Sequence, residues 1–165
     1  MPGSLRPAVL MLLVLLAPPP AGAAPTASPL HFFEGKTDTE STTKIMMSKP
    51  YRTRSLGEGR IESDGSLTMV QQVAEPGKPV RQRRWHVRQV APGRFAGTIW
   101  DETTHKVVIE EVGARYRLRL KIKGGLNVEQ WLTPLPGGRS ARSLMVVKKL
   151  GIVVARGEGT IRKLP

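Results

Sequence analysis

The nonapeptide RYRLRLKIK, residues 115–123, leaves this stretch of chain one way to fold. Tyr116, Leu118, Leu120 and Ile122 alternate without a break with Arg115, Arg117, Arg119, Lys121 and Lys123. An extended strand sends successive side chains to opposite faces, so it separates the two sets, whereas a helix would scatter both around its circumference. The flanking segments extend the pattern. HKVVIEEV (105–112) precedes it and ends at Gly113, and NVEQWLT (127–133) follows Gly124-Gly125. The three segments are predicted to be adjacent antiparallel strands.

The same organisation holds along the rest of the chain. No long helical period stands out after residue 30. Short alternating runs are punctuated by ESDGSL (62–67), EPGKP (75–79), APGR (91–94), KGGL (123–126) and LPGG (135–138). In the Pro-Gly pairs proline presets φ and glycine supplies the positive φ of a type II turn. Breaks spaced by roughly 8 to 15 residues predict an antiparallel sandwich or barrel. The tripeptide GEG at 57–59 and 157–159 is too short to be read as a repeat.

VRQRRWHVRQVAPGRFAGTIW, residues 80–100, mixes five arginines with three aromatics. Pro92-Gly93 divides it into RRWHVRQV and RFAGTIW, a predicted hairpin. Trp85 and Val87 share one face of the first strand, and Arg84, His86 and Arg88 the other; Phe95, Gly97 and Ile99 share a face of the second. The expectation is an inward row of Trp and Phe with arginines in solvent. A platform for single-stranded nucleic acid would put aromatics and cations on the same exposed face. No nucleic-acid partner is therefore expected.

The N-terminal segment bears on compartment. One positive charge, Arg6, precedes an apolar run from Ala8 to Ala17; Pro18-Pro19-Pro20 and then Ala21-Gly22-Ala23 follow. That order predicts a secretory signal peptide over 1–23, a flexible leader over 24–29 and a single domain over 30–165. The apolar run is about half of the roughly 20 residues a spanning helix needs, so no transmembrane segment is expected after cleavage. The chain contains no cysteine, which excludes both a disulfide framework and a cysteine-linked lipid. Its 26 Lys and Arg outnumber 13 Asp and Glu, and only Arg6 lies in the signal segment. Such an excess favours anionic partners. Outside the cytoplasm the expected candidates are anionic lipids, glycolipids or acidic envelope polymers.

Little in the sequence supports catalysis. The histidines are His31, His86 and His105, and no serine sits in a Gly-x-Ser-x-Gly elbow. Asp101, Glu102 and His105 match no closed metal-site spacing, and adjacent Glu110 and Glu111 point to opposite faces of a strand, so they cannot act as a glycosidase pair. No catalytic residue, metal or cofactor is assigned.

FFEG (32–35), GRIESDGSL (59–67), RRWHVRQVAPGRFAGT (83–98), GGLNVEQWL (124–132) and MVVKKLGIVVA (145–155) together resemble, in order, a bacterial family of small envelope proteins, domain-of-unknown-function family 3833. The resemblance implies an all-β, single antiparallel up-and-down barrel of lipocalin type with about 8–10 strands. Many members are lipoproteins, and the missing cysteine departs from that pattern.

The sequence thus predicts an exported, monomeric, non-catalytic protein that binds an anionic or amphiphilic, lipid-like ligand or surface. An enzyme acting on an envelope glycolipid or lipid is the alternative class, and a basic nucleic-acid binder a second one that the signal peptide disfavours. Trp85, Trp100, Trp131 and Phe95 are candidates to line a ligand cavity. Arg115, Arg117, Arg119, Lys121 and Lys123 are candidates to bind an anionic surface, with too few neighbouring acids expected to balance them.

Overall fold

Ten strands alternate with tight turns through residues 28–165, the part of the chain described by the structure, a computed structural model. They are β1 (Gly35–Ile45), β2 (Tyr51–Ile61), β3 (Leu67–Ala74), β4 (Arg81–Ala91), β5 (Arg94–Asp101), β6 (Thr103–Val112), β7 (Arg115–Ile122), β8 (Leu126–Pro134), β9 (Ser140–Lys149) and β10 (Ile152–Lys163). Each pairs antiparallel with the next, and β10 returns to pair with β1, so the sheet closes into an up-and-down barrel. Closure leaves no strand edge unpaired. The predicted signal segment and most of the predicted leader lie outside the described residues. Ser28 caps a 3₁₀ helix, Pro29–Phe33, that precedes the barrel.

All five predicted turns join consecutive strands. Between β4 and β5, Ala91 pairs with Arg94 across Pro92-Gly93, with Gly93 at φ 64°. The other four connections carry no Pro-Gly signal, and three of them place a non-glycine residue at positive φ. Glu102 alone, at φ 61°, turns β5 into β6; Leu150-Gly151, at φ 50° and 83°, turn β9 into β10; Met47, at φ 65°, lies between β1 and β2. Positive φ at both central residues is the backbone of a two-residue hairpin that matches strand twist.

The two ends of the barrel differ. One carries the β2–β3, β4–β5, β6–β7 and β8–β9 turns, and the 3₁₀ helix plugs it. Leu30 is buried there in a cluster with Leu67, Met69, Val87, Phe95, Ile99, Val107 and Leu118. Phe95, Val87 and Val107 are among the most deeply buried side chains. The helix sits so close to β2 that a Cβ on Gly59 would lie 2.0 Å from the Phe33 carbonyl oxygen. Glycine is required there for close approach. The other end carries the β1–β2, β3–β4, β5–β6, β7–β8 and β9–β10 turns, and no helix covers it among the described residues.

Both GEG tripeptides flank β1. Gly57 faces Thr37 from β2, and Gly157 and Gly159 face Thr43 and Ser41 from β10. A Cβ on Gly159 would lie 2.6 Å from the Ser41 Cβ. The two tripeptides therefore do the same job: they remove side chains from the barrel's inner surface on either side of β1.

Candidate ligand-binding site

The barrel encloses a cavity of about 280 Å³. Its base is apolar, formed by Leu30, Phe33, Leu67, Val87 and Leu118. Its two sides differ in chemistry. β1 and β2 present Thr39, Ser41, Thr43, Thr53 and Ser55, while Met69, Trp85, Ile109, Leu132 and Met145 come from β3, β4, β6, β8 and β9. Ser41 and Thr53 share a hydrogen bond of 2.7 Å between hydroxyls. The Trp85 ring reaches the cavity with its polar edge satisfied, because Nε1 donates to Gln71 Oε1 at 2.6 Å. Gln130 Nε2 likewise donates to Ser143 Oγ at 2.7 Å.

Toward the open end the lining becomes charged. Glu75, Arg81 and Arg83 border the cavity. Arg81 donates through Nη2 to Glu75 Oε1 (2.7 Å) and through Nη1 to Asp101 Oδ2, and Arg83 donates to the same Asp101 oxygen through Nη2 (2.8 Å) and Nε (3.1 Å). Lys78 Nζ reaches Glu75 Oε2 at 2.6 Å. Three cations thus meet two carboxylates, leaving one positive charge in excess. Burial pushes the Asp101 carboxyl up, but the hydrogen bonds and charges of Arg83 and Arg81 outweigh it and hold the group below the usual carboxylate range. The Lys78 hydrogen bond leads the causes that hold Glu75 below its ordinary value, with Arg81 adding to it against burial. Asp101 Oδ1 is buried and accepts no hydrogen bond from the described residues.

Of the four aromatic candidates, Trp85 lines the cavity. Phe95 points inward but fills the packed base, where it is 2 % exposed. Trp100 and Trp131 do not line the cavity, which corrects the sequence expectation. Strand parity is the reason: Ile99 on β5 and Gln130 and Leu132 on β8 face inward, so their neighbours Trp100 and Trp131 face out. Each outer ring is covered by a cation instead. The Arg84 guanidinium lies 5.2 Å from the Trp100 ring centre, and those of Arg115 and Arg117 lie 4.5 and 5.7 Å from the Trp131 ring centre. Trp131 Nε1 donates to Glu129 Oε1 at 2.9 Å.

The basic row of β7 faces outward as expected, but it is not electrostatically uniform. Glu110 on β6 accepts from Arg117 at 2.8 Å and from Arg119 at 2.9 Å. Its carboxyl is held below the usual range, first by the Arg117 hydrogen bond. The expectation that the whole row lacks balancing acid is corrected for these two arginines. Lys121 and Lys123, nearer the open end, make no ion pair with the described residues.

Sequence reasoning missed Arg81 and Arg83 as cavity residues. The signal was available: they stand four and two positions before Trp85 and so share its face. None of the three histidines lines the cavity: His31 pairs with Glu34 at 3.1 Å, His86 is exposed on the outer face of β4, and His105 Nε2 lies 3.0 Å from Thr103 Oγ1. Among the described residues no group of three or more His, Asp or Glu could hold a metal ion, and no helix is long and apolar enough to cross a membrane.

No family model and no curated protein sequence matches the chain. Solved structures do match in fold. The S-type phycobiliprotein lyase CPES from Guillardia theta aligns with 82% of this chain and 90% of its own, at a TM-score of 0.60 and 7% identity. Rv2717c from M. tuberculosis aligns with 86% of this chain and 99% of its own, at a TM-score of 0.62 and 14% identity. The chain has a lipocalin-like barrel fold. At these identities the likeness concerns the fold alone.

Proposed function

We propose that the protein is a non-catalytic binder of one small anionic amphiphile, held inside the barrel. The observation that carries this reading is the pairing of an apolar base with Arg81 and Arg83 toward the open end. An acyl chain or flat ring would lie against Trp85, Met69 and Leu118, and its anionic group would replace Asp101 or Glu75 as a partner of the two guanidinium groups. Arginine forks suit a carboxylate or phosphate because they bond it through two parallel N–H groups. The hydroxyls of β1 and β2 give polar parts of the ligand a place to bond.

Size narrows the class. Pockets for drug-sized ligands run from about 300 to 1,000 Å³, and this cavity is about 280 Å³. A short-chain or single-ring ligand fits; a two-chain lipid does not enter whole. The structural neighbours support a ligand-holding barrel only through their fold. One of them is named as a phycobiliprotein lyase, and no side-chain set in this cavity is assigned a reaction.

We place the protein outside the cytoplasm, as a monomer in the periplasm, on the strength of the N-terminal pattern and the resemblance to small bacterial envelope proteins. Native mass spectrometry of protein purified from its own cells tests the binding reading. Retention of a small anionic molecule, lost in Arg83→Leu, supports it. A wild-type chain at its bare mass, with no uptake of short-chain fatty acids or alkyl phosphates, refutes it.

A further inference from the structure

The open end of the barrel carries a second feature that the cavity does not use. The two most exposed large apolar side chains among the described residues, Met47 (98 % exposed) and Leu150 (91 %), sit at the tips of the β1–β2 and β9–β10 turns. Both have positive φ, 65° and 50°. Left-handed backbone is costly for a residue with a long side chain, so these tips place apolar groups in water on a conformation that favours glycine. The two turns are neighbours, because β1 pairs with β10 and Met46 N donates to Val154 O at 2.8 Å. Met46 and Ile152 extend the same exposed apolar patch.

Around this patch the charge is of one sign. Lys44 and Arg156 face each other directly across β1 and β10. Lys49 lies in the β1–β2 turn, Lys148 and Lys149 end β9, and Lys123 lies in the β7–β8 turn. Lys121 and Lys148 flank Asn127 on β8. None of these cations makes an ion pair with the described residues. Apart from Lys36 and Lys163, every lysine of the chain lies in the open-end half of the barrel. Like charges facing each other across strands repel, and an anionic surface relieves that repulsion.

We infer that this end of the barrel docks on an anionic lipid bilayer, with Met46, Met47, Leu150 and Ile152 entering the interface and the surrounding lysines contacting head groups. Apolar tips within a collar of Lys that no acid of the described residues pairs match the two attractions such a surface offers, burial of apolar groups and counter-charge. Of the basic row read from the sequence, Lys121 and Lys123 belong to this collar; Arg117 and Arg119 are engaged by Glu110. Docking in this orientation brings the mouth of the cavity to the membrane. The inference rests on the rim alone and does not require the cavity to hold a ligand.

The test is co-sedimentation of the mature protein with phosphatidylcholine vesicles, with and without phosphatidylglycerol. Binding is expected only with the anionic lipid and falls as salt rises. Lys148→Glu with Lys149→Glu, and separately Met47→Ser with Leu150→Ser, each weaken it by about tenfold or more. Lys36→Glu with Arg139→Glu, which reverses the same number of charges at the plugged end, leaves it within about twofold. Arg83→Leu, which damages the cavity, leaves it unchanged, so failure of docking and failure of ligand binding are separable. Three results overturn the inference: equal binding to neutral and anionic vesicles, equal loss in the plugged-end variant, or unaltered binding in Met47→Ser with Leu150→Ser. The last, combined with competition by short single-stranded DNA, would make the rim a simple polyanion site.

Discussion

The plugged end and the open end of this barrel are built from the same ten strands and obey opposite rules. At the plugged end apolar side chains are removed from water: Leu30 drops from the 3₁₀ helix onto Leu67, Val87 and Phe95, and Gly59 gives up its side chain so that Phe33 can approach. At the open end apolar side chains are held in water and unpaired cations surround them. The main buried cluster therefore gathers around the plug, and the features that suit recognition gather at the other end. Regions that bind partners commonly lie on turns carried by a rigid scaffold, since the turn tolerates chemistry the core does not.

Substitutions that sharpen the contrast fall in a clear order. Phe95→Ala removes a large buried ring from the plugged end and should cost about 3–5 kcal/mol, read as a fall in the denaturant midpoint at constant slope. Gly59→Ala forces a Cβ into the Phe33 carbonyl and should cost about 1–3 kcal/mol, with the loss reduced if residues 28–33 are deleted. A Gly59→Ala protein as stable as the wild type would mean that the helix does not plug the barrel. At the open end, Met47→Ser with Leu150→Ser should shift stability by less than about 0.5 kcal/mol, because both side chains are already in water.

Acid should act mainly through the ion-paired carboxylates. Asp38, held low first by its hydrogen bond from Arg54, and Asp101, Glu75 and Glu110 all ionise more readily in the folded protein than unfolded. A depressed folded-state pKa gives stabilisation that is complete above the unfolded value and is lost as pH falls through the folded one. Stability should thus be level from neutral pH to about pH 5 and decline below about pH 4. Asp101→Asn should flatten part of that decline, measured by thermal melts across pH. An unchanged acid limb would mean that the Arg81–Asp101–Arg83 cluster contributes nothing to it.

How much of this was written plainly in the sequence depended on the kind of signal. The strand at 115–123 was legible because Leu and Arg differ so sharply that period two is unmistakable, and the Pro-Gly and Gly-Gly turns because their backbone requirements are narrow. The inner surfaces of β1 and β2 were not. Thr39, Ser41, Thr43, Thr53 and Ser55 face a cavity, yet hydroxyl residues alternating with Asp, Glu and Arg produce no apolar rhythm. The turn at Leu150-Gly151 lacked proline and put a leucine where asparagine is usual. Tryptophan misled in a different way. Trp100 and Trp131 suggested an interior by their size, whereas on the outer wall their ring faces are covered by Arg84, Arg115 and Arg117.

The central claim is that the barrel interior accepts a small anionic amphiphile, and Trp85 reports on it directly. With Trp100 and Trp131 replaced by Phe, the only tryptophan left is the one that lines the cavity. Titrating that variant with a short-chain fatty acid should change its emission saturably, with a weaker response to the alcohol of the same chain length and little response in the Arg83→Leu background. Emission from Trp85 that stays constant throughout the fatty-acid titration, in a protein whose fold is intact, would contradict the account.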